Sequence, residues 1–557
     1  MESNRGNDKK KTALTRRQLL KCGLAAGAGI VAIGGLKMPD AKAQAQCPMP
    51  SSPASLDLTP YVDELPVPPL IESPNYALRA QNIMHRFHRD LPATPTWGFN
   101  GHHPGPTLIA YKNVPSELLV RNSLEEFVVC VTPDVVGGDV VTIKGQVVPF
   151  ITIHNHGVLD PPEFDGGPHS MFPPGEYFLY KYPNINAPAT YWYHDHSLMT
   201  TRYTVYSGLA GFYLLLDPAI GWARDAYGYT DIPLIIQDRS FNADGTMWYF
   251  PPDQSTMSNY SDEFMGDFIA VNGKIWPYRE VDRTTYMFRI LNGSNHSSVG
   301  LALREANSDT PIPFRVIGND EGFLPSPVTV TEVILGSAER ANILVDFSSF
   351  DPDTEILMEN VLTDSAFAPA MVTKVMKFIV SDDKVASNNF LQLLTPLPNL
   401  GEEEKTRHLT LTHMGDDSDM HLLNNLRFNA APTETPVVGS TEIWNFYNLT
   451  DDMHPMHTHE SRFLILDHRP FDVQAFIDHN GKDGPLEDPV VTWTGDAYPP
   501  PEEERGLKDT VKVKAGERTR IKVQFGPYPG LAVWHCHMLE HEDNDMMRPL
   551  LLTQDRH

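Results

Sequence analysis

Residues 533–547 read VWHCHMLEHEDNDMM, which sets Cys536 between His535 and His537, with His541, Glu542 and Met546 close behind. Three other short phrases carry paired histidines: ITIHNHG with His154 and His156, TYWYHDH with His194 and His196, and MHPMHTHE with His454, His457 and His459. Ten of the 22 histidines fall in these four phrases. On an extended strand residues i and i+2 share a face, so each His-x-His offers two imidazoles to one place. A single such pair is usually two satisfied strand histidines. Four of them in one chain point to a metal constellation.

The donor types narrow the metal. Eight neutral imidazoles without a carboxylate suit copper or zinc rather than calcium or magnesium. Cys536 points to the face opposite His535 and His537, where it can join His454 and His541, with Met546 as a weak axial donor. That His₂Cys set is the donor set of a blue-copper centre, whereas zinc sites use paired cysteines or a C-x-x-C, and this chain has none. One cysteine would thus serve one centre while its covalent neighbours serve another. The path between the two would be a few bonds long.

The elements that position these residues recur along the chain. An apolar strand ending in Asn appears as LLVRN to Asn122, MFRILN to Asn292 and IWNFYN to Asn448. Downstream of each lies a turn with Glu and an alternating strand: PGEYFLYKY, SAERANILVDF and AGERTRIKVQF. Period-2 alternation bounded by turn residues predicts half-buried strands, and many such strands predict β-sandwiches. The 48 Pro and 38 Gly fit short strands and many turns. The first and third copies carry the histidine phrases in matching order, with Asp195 standing where the third copy has Cys536. The middle copy has only His296.

At 557 residues the chain is too long for one core. Residues 1–45 read as a twin-arginine export signal: Arg16 and Arg17 precede the weakly apolar run CGLAAGAGIVAIGGL and the small-residue segment AKAQAQ. Such a protein would use the twin-arginine translocation machinery, be periplasmic or extracellular, and keep no stable membrane insertion once the signal is removed. Loss of residues 1–43 moves the formal charge from −27 to −33, which excludes nucleic acid as a partner. Cys47 and Cys130 are candidates for a disulfide, and sequence leaves that pairing open.

At these residues the chain resembles the three-domain multicopper oxidases, and most of all the bacterial spore-coat laccase and bilirubin oxidase branch. The phrases TWGFNGHHPGPT, AVNGKIWPY, HRPFD, GLKDT and HCHMLEHEDNDMMRP carry the resemblance. It implies an all-β fold of three cupredoxin-like Greek-key β-sandwich domains. Their expected bounds are 46–225 with half of a trinuclear site, 226–400 as a connecting domain without copper ligands, and 401–557 with the type 1 copper and the other half. It implies four coppers per chain. His454, Cys536, His541 and Met546 would hold type 1; His154 and His457 type 2; His156, His194, His196, His459, His535 and His537 the type 3 pair. Asp165 and Glu542 resemble the family's acidic residues beside the cluster, where protons for dioxygen reduction are relayed.

The activity so implied is that of a laccase-like oxidoreductase. Four one-electron oxidations of a small phenolic, aromatic amine or tetrapyrrole donor, entering at the exposed edge of His541 and leaving through Cys536, are coupled to reduction of O₂ to water. A monomer is the family's common form. Three other functions compete: a cuprous-ion or Mn(II) metallo-oxidase, a copper nitrite reductase, and an exported non-enzymatic cupredoxin scaffold. The first would add Met-rich loops, the second lacks eight such histidines, and the third would have lost the ligands.

Overall fold

The computed structural model describes residues 53–129, 131, 142–143, 146–217, 227–249, 263–362, 373–414 and 420–554. The expected export signal and both cysteines of the candidate disulfide lie outside them. Strands predominate among the described residues, with few short helices, and six of the seven sheets form three face-to-face pairs, the seventh being a small two-stranded ribbon. The all-β expectation therefore holds.

In the first pair, a five-stranded sheet includes Thr107–Tyr111, Ile153–His156, Ala189–Asp195 and Ala210–Leu216. It packs on a four-stranded sheet of Asn75–His85, Thr94–Phe99, Ser116–Ser123 and Tyr177–Tyr182, around a core that includes Tyr76, Leu118, Val120, Tyr180, Tyr191 and Tyr213. The second pair has eight and six strands, and Leu234, Phe288, Ile290, Val316, Ile343 and Phe378 share the core between them. In the third, five strands including Thr441–Asn448, Ser461–Pro470 and Glu517–Phe525 face four: His454–Thr458, Thr510–Val513, Gly530–Cys536 and Met547–Leu552. Trp444, Phe446, Ile521, Trp534 and Cys536 lie in that core. Each fully buried Val, Leu, Ile or Phe contributes roughly 1.5–3 kcal/mol through removal of apolar surface from water.

The repeated phrases turn out to be partners. In each sandwich the Asn-terminated strand pairs antiparallel with the alternating strand, and the register is the same three times: Arg121↔Tyr177, Leu291↔Arg340 and Tyr447↔Arg518. The terminal Asn has one job throughout. Asn292 donates to the carbonyls of Ser297 and Leu335 and accepts from the Ser294 N–H. Asn122 does the same with Pro149, Phe172 and Leu124, and Asn448 with Asp452, Val513 and Thr450. An amide carries both donors and an acceptor, so it alone ties the strand end to two loops without leaving a buried group unpaired.

Replacing Asn292 by Ala is expected to strand two carbonyls and one N–H and to lower stability by about 3 kcal/mol, read by chemical denaturation. Asn292→Asp should cost at least as much, because a carboxylate would face two carbonyl oxygens; an unchanged midpoint in either variant would count against this role.

Candidate metal centres

Local pairing brings the histidines together two by two. Ile153–His156 runs antiparallel to Ala189–Asp195 with His154 opposite His194, and His196 follows at the strand's end. His454–Thr458 runs antiparallel to Gly530–Cys536 with His457 opposite His535 and Met456 opposite Cys536. The first and third sandwiches then appose these ladders. The ring of His154 stacks on His459 at 3.9 Å between centroids, and that of His156 on His457 at 3.8 Å.

All eight imidazoles are buried, and each turns one nitrogen outward toward a protein oxygen. His154 Nδ1 donates to the Asp165 carbonyl (2.9 Å), His194 Nδ1 to the Asp195 carbonyl (2.8 Å), His457 Nδ1 to the Asp509 carbonyl (2.8 Å) and His535 Nδ1 to the Cys536 carbonyl (3.0 Å). His156 Nε2 donates to Asp509 Oδ1 (3.0 Å) and His459 Nδ1 to Asp165 Oδ2 (2.7 Å). His196 Nδ1 lies 3.3 Å from Glu542 Oε1, and His537 Nδ1 3.4 Å from Ser337 Oγ. Each acceptor fixes a tautomer and leaves the other nitrogen with a free lone pair.

Those other nitrogens converge. Nε2 of His154, His194, His457 and His537, and Nδ1 of His156, are buried with no hydrogen-bond partner among the described residues. Nε2 of His535 meets only Nε2 of His196 (3.3 Å) and of His459 (3.2 Å). Ligand atoms of His154, His156 and His194 fall within 4.8 Å of one another, as do those of His154, His457 and His459, and of His196, His459 and His535. Buried polar atoms left unpaired are costly, and facing lone pairs more so, unless cations sit between them. Burial also pushes the imidazolium form of His156, His194, His196, His457 and His537 well down, so these rings are neutral donors.

The second set lies on the other face of the strand at 530–536. Cys536 Sγ is 3.6 Å from His454 Nδ1 and 3.7 Å from His541 Nδ1, and those two nitrogens are 3.3 Å apart. Their outer nitrogens are held by Thr450 Oγ1 (2.7 Å) and Glu263 Oε1 (3.0 Å). Met546 is buried in the same apolar cluster, its carbonyl accepting from the Cys536 N–H at 3.0 Å. Burial pushes the Cys536 thiol far up, and the Met538 N–H pointing at Sγ only partly offsets this. A cation among the three donors is what would hold it as thiolate. In the first copy the matching Asp195 is instead saturated by Thr152 N–H, Ser197 N–H and Oγ, and Thr204 Oγ1. No second such centre arises there.

Sequence reasoning placed Asp165 and Glu542 beside the histidines, and they lie there. Asp165 reaches both His154 Nδ1 (2.9 Å) and His459; Glu542 reaches both His196 and His535 Nδ1 (3.2 Å). Burial acts against both carboxylates, yet the paired imidazoles hold Asp165 well below the usual range and Glu542 at about 2. Three participants were missed: Asp509, Arg340 and Glu263. The first lay unnoticed in GLKDT, and the other two come from the middle copy, far from any histidine pair in sequence. One expectation is corrected. His541 is only 4% exposed, and its outer edge is covered by Glu263, itself about one-third exposed and also 3.2 Å from His296.

Three β-sandwiches that bring eight inward imidazoles and a separate His₂Cys set together define a copper-dependent oxidoreductase. Two multicopper oxidase family models match residues 402–556 and 137–219. The chain is 36% identical to a laccase of Bacillus subtilis over 525 residues, covering 89% of this chain and 99% of that one, and 33% identical to a laccase of Haloferax volcanii over 90% and 86%. The McoA multicopper oxidase of Aquifex aeolicus superimposes with a TM-score of 0.70 at 26% identity, over 89% of this chain and all of the other. The chain belongs to the multicopper oxidase family, and its activity is that of a laccase-like oxidoreductase using a small donor and O₂.

Gly157, at φ +87°, follows His156 where any Cβ would collide with the Asp509 carboxylate. Gly157→Ala is therefore expected to deplete copper from the eight-imidazole centre while the Cys536 centre keeps its blue absorption, as read by metal analysis beside the visible spectrum.

Proposed function

We propose that the protein holds four coppers and couples four one-electron oxidations of phenolic, aromatic amine or tetrapyrrole donors to the reduction of one O₂ to two waters. In this reading His454, Cys536, His541 and Met546 hold type 1 copper, His154 and His457 type 2, and the remaining six histidines the type 3 pair. The observation that carries it is the inward convergence of eight imidazole nitrogens, five without a hydrogen-bond partner among the described residues and three that meet only one another. Copper at these sites would supply one-electron redox chemistry at the cysteine centre and bind and reduce dioxygen at the other.

The chain's own residues do the rest. Cys536 is bonded through the backbone to His535 and His537, so electrons cross between the centres along one strand. The reduction consumes four protons, and Asp165 and Glu542 stand against the imidazoles where a proton can be handed on. Burial of the whole constellation excludes bulk water from the reacting oxygen. Donors meet Glu263 rather than the His541 ring. With Asp452, which lies 3.4 Å from His421 and is about one-third exposed, Glu263 gives this approach a negative rim.

Residues 1–45 support export by the twin-arginine route to the periplasm or beyond, and the divisions 46–225, 226–400 and 401–557 each enclose one pair of sheets. The bilirubin oxidase likeness rests on the sequence phrases alone.

Cys536→Ser is expected to abolish the blue absorption and donor oxidation together; turnover surviving in that variant would refute entry through this residue. Glu263→Gln should raise KM for cationic aromatic amines several-fold and leave anionic donors unchanged or improved, measured as oxygen uptake.

A further inference from the structure

The middle sandwich contributes no imidazole to the eight, yet one of its residues sits where all three sandwiches meet. Arg340 opens the strand Arg340–Asp346 and is completely buried. Each of its five guanidinium N–H groups has its own acceptor: Nε on the Thr190 carbonyl (3.0 Å), Nη1 on the Ala338 carbonyl (2.9 Å) and Asp509 Oδ1 (2.8 Å), Nη2 on the Asp320 carbonyl (3.0 Å) and Asp509 Oδ2 (2.5 Å). Five donors meet five acceptors, so the fork cannot turn. Thr190 belongs to the first sandwich and Asp509 precedes the strand Thr510–Val513 of the third.

Asp509 carries that rigidity to the metal-facing rings. Its Oδ1 accepts from His156 Nε2 (3.0 Å) and Thr510 Oγ1 (2.9 Å), and its carbonyl accepts from His457 Nδ1 (2.8 Å). His156 is the one imidazole of the eight that turns Nδ1 inward. Its tautomer is set by the proton on Nε2, and that proton points at a carboxylate whose position Arg340 dictates. A buried ion pair of this kind is weak evidence for stability, since an apolar pair of similar volume often does as well. Its geometry is what sets it apart.

We infer that Arg340 is a positioning residue for the dioxygen-reducing centre: by clamping Asp509 in a two-bond fork it fixes which nitrogen of His156 faces the metals. The inference rests on reading the eight imidazoles as that centre. It also gives the ligand-free middle sandwich a direct part in the chemistry.

The test uses the full chain, loaded with copper, as wild type, Arg340→Lys and Asp509→Asn. Lysine keeps the charge but cannot form the fork; asparagine leaves the three carbonyl bonds of Arg340 in place and removes the carboxylate. Copper per chain, the electron paramagnetic resonance spectrum, the near-ultraviolet absorption of the paired coppers and the blue band are read beside oxygen uptake and the melting temperature. The expected result is that both variants keep the blue band of the Cys536 centre, while the signals of the other centre shift or vanish and oxygen uptake falls about 10- to 100-fold. Unaltered signals from that centre, with only a lower melting temperature, would overturn the inference and leave Arg340 as a fastener. Should Arg340→Lys fail to fold, Asp509→Asn decides by the same signals. A wild-type protein without those signals would instead sink the reading of the centre itself.

Discussion

Three acidic residues, through carboxylate or backbone carbonyl, each hold one imidazole from the first sandwich and one from the third, and the rest of the site depends on that arrangement. Asp165 joins His154 to His459, Glu542 joins His196 to His535, and Asp509 joins His156 to His457. Each pair spans the interface, so the rings are oriented relative to one another and not merely within their own strands. An acceptor on the outer nitrogen does two things at once: it selects the tautomer and raises the basicity of the inward nitrogen. Without it a buried neutral imidazole could present either edge.

How much of this was legible in the sequence depended on locality. The His-x-His phrases could be read because strand geometry puts i and i+2 on one face, and Cys536 because alternation sends it to the other. The repeated Asn-terminated strands could be read as elements, but not as partners of the alternating strands; pairing and register are set by contacts distant in sequence. Glu542 directly follows His541 and Asp165 comes nine residues after His156, and both match the pattern of the family the chain resembles. Asp509, Arg340 and Glu263 have no histidine pair near them in sequence. They act across sandwiches, and nothing in their neighbourhoods distinguishes them from ordinary strand-end or loop charges. The exposed edge expected for His541 failed for the same reason, since the residue covering it comes from a different sandwich.

The middle sandwich looked from its sequence like a spacer. In the structure it supplies Glu263 to the outer nitrogen of His541, Ser337 to His537 and Arg340 to Asp509. Asn295 accepts the Leu539 N–H through its carbonyl and donates to Glu540, which also takes the Tyr249 hydroxyl. These contacts clamp the short helix Leu539–Asp543 from which His541 and Glu542 project. Asp543, on the same helix, accepts the backbone N–H groups of Thr201 and Arg202 from the first sandwich. A segment without ligands therefore decides where several ligands point. It repeats the scaffold of the outer copies, and only those copies carry the donors.

Neither centre can be built from an early part of the polypeptide. Both need strand 530–536 and the turn that follows it, so a nascent chain offers no finished copper pocket until those residues have left the ribosome. A product cut short before residue 535 lacks the cysteine, His541 and two of the eight rings together. Such a fragment keeps six of the eight rings but none of the covalent path that joins the two centres. The place of one strand near the end of the chain thus makes completion of both centres a late event of synthesis.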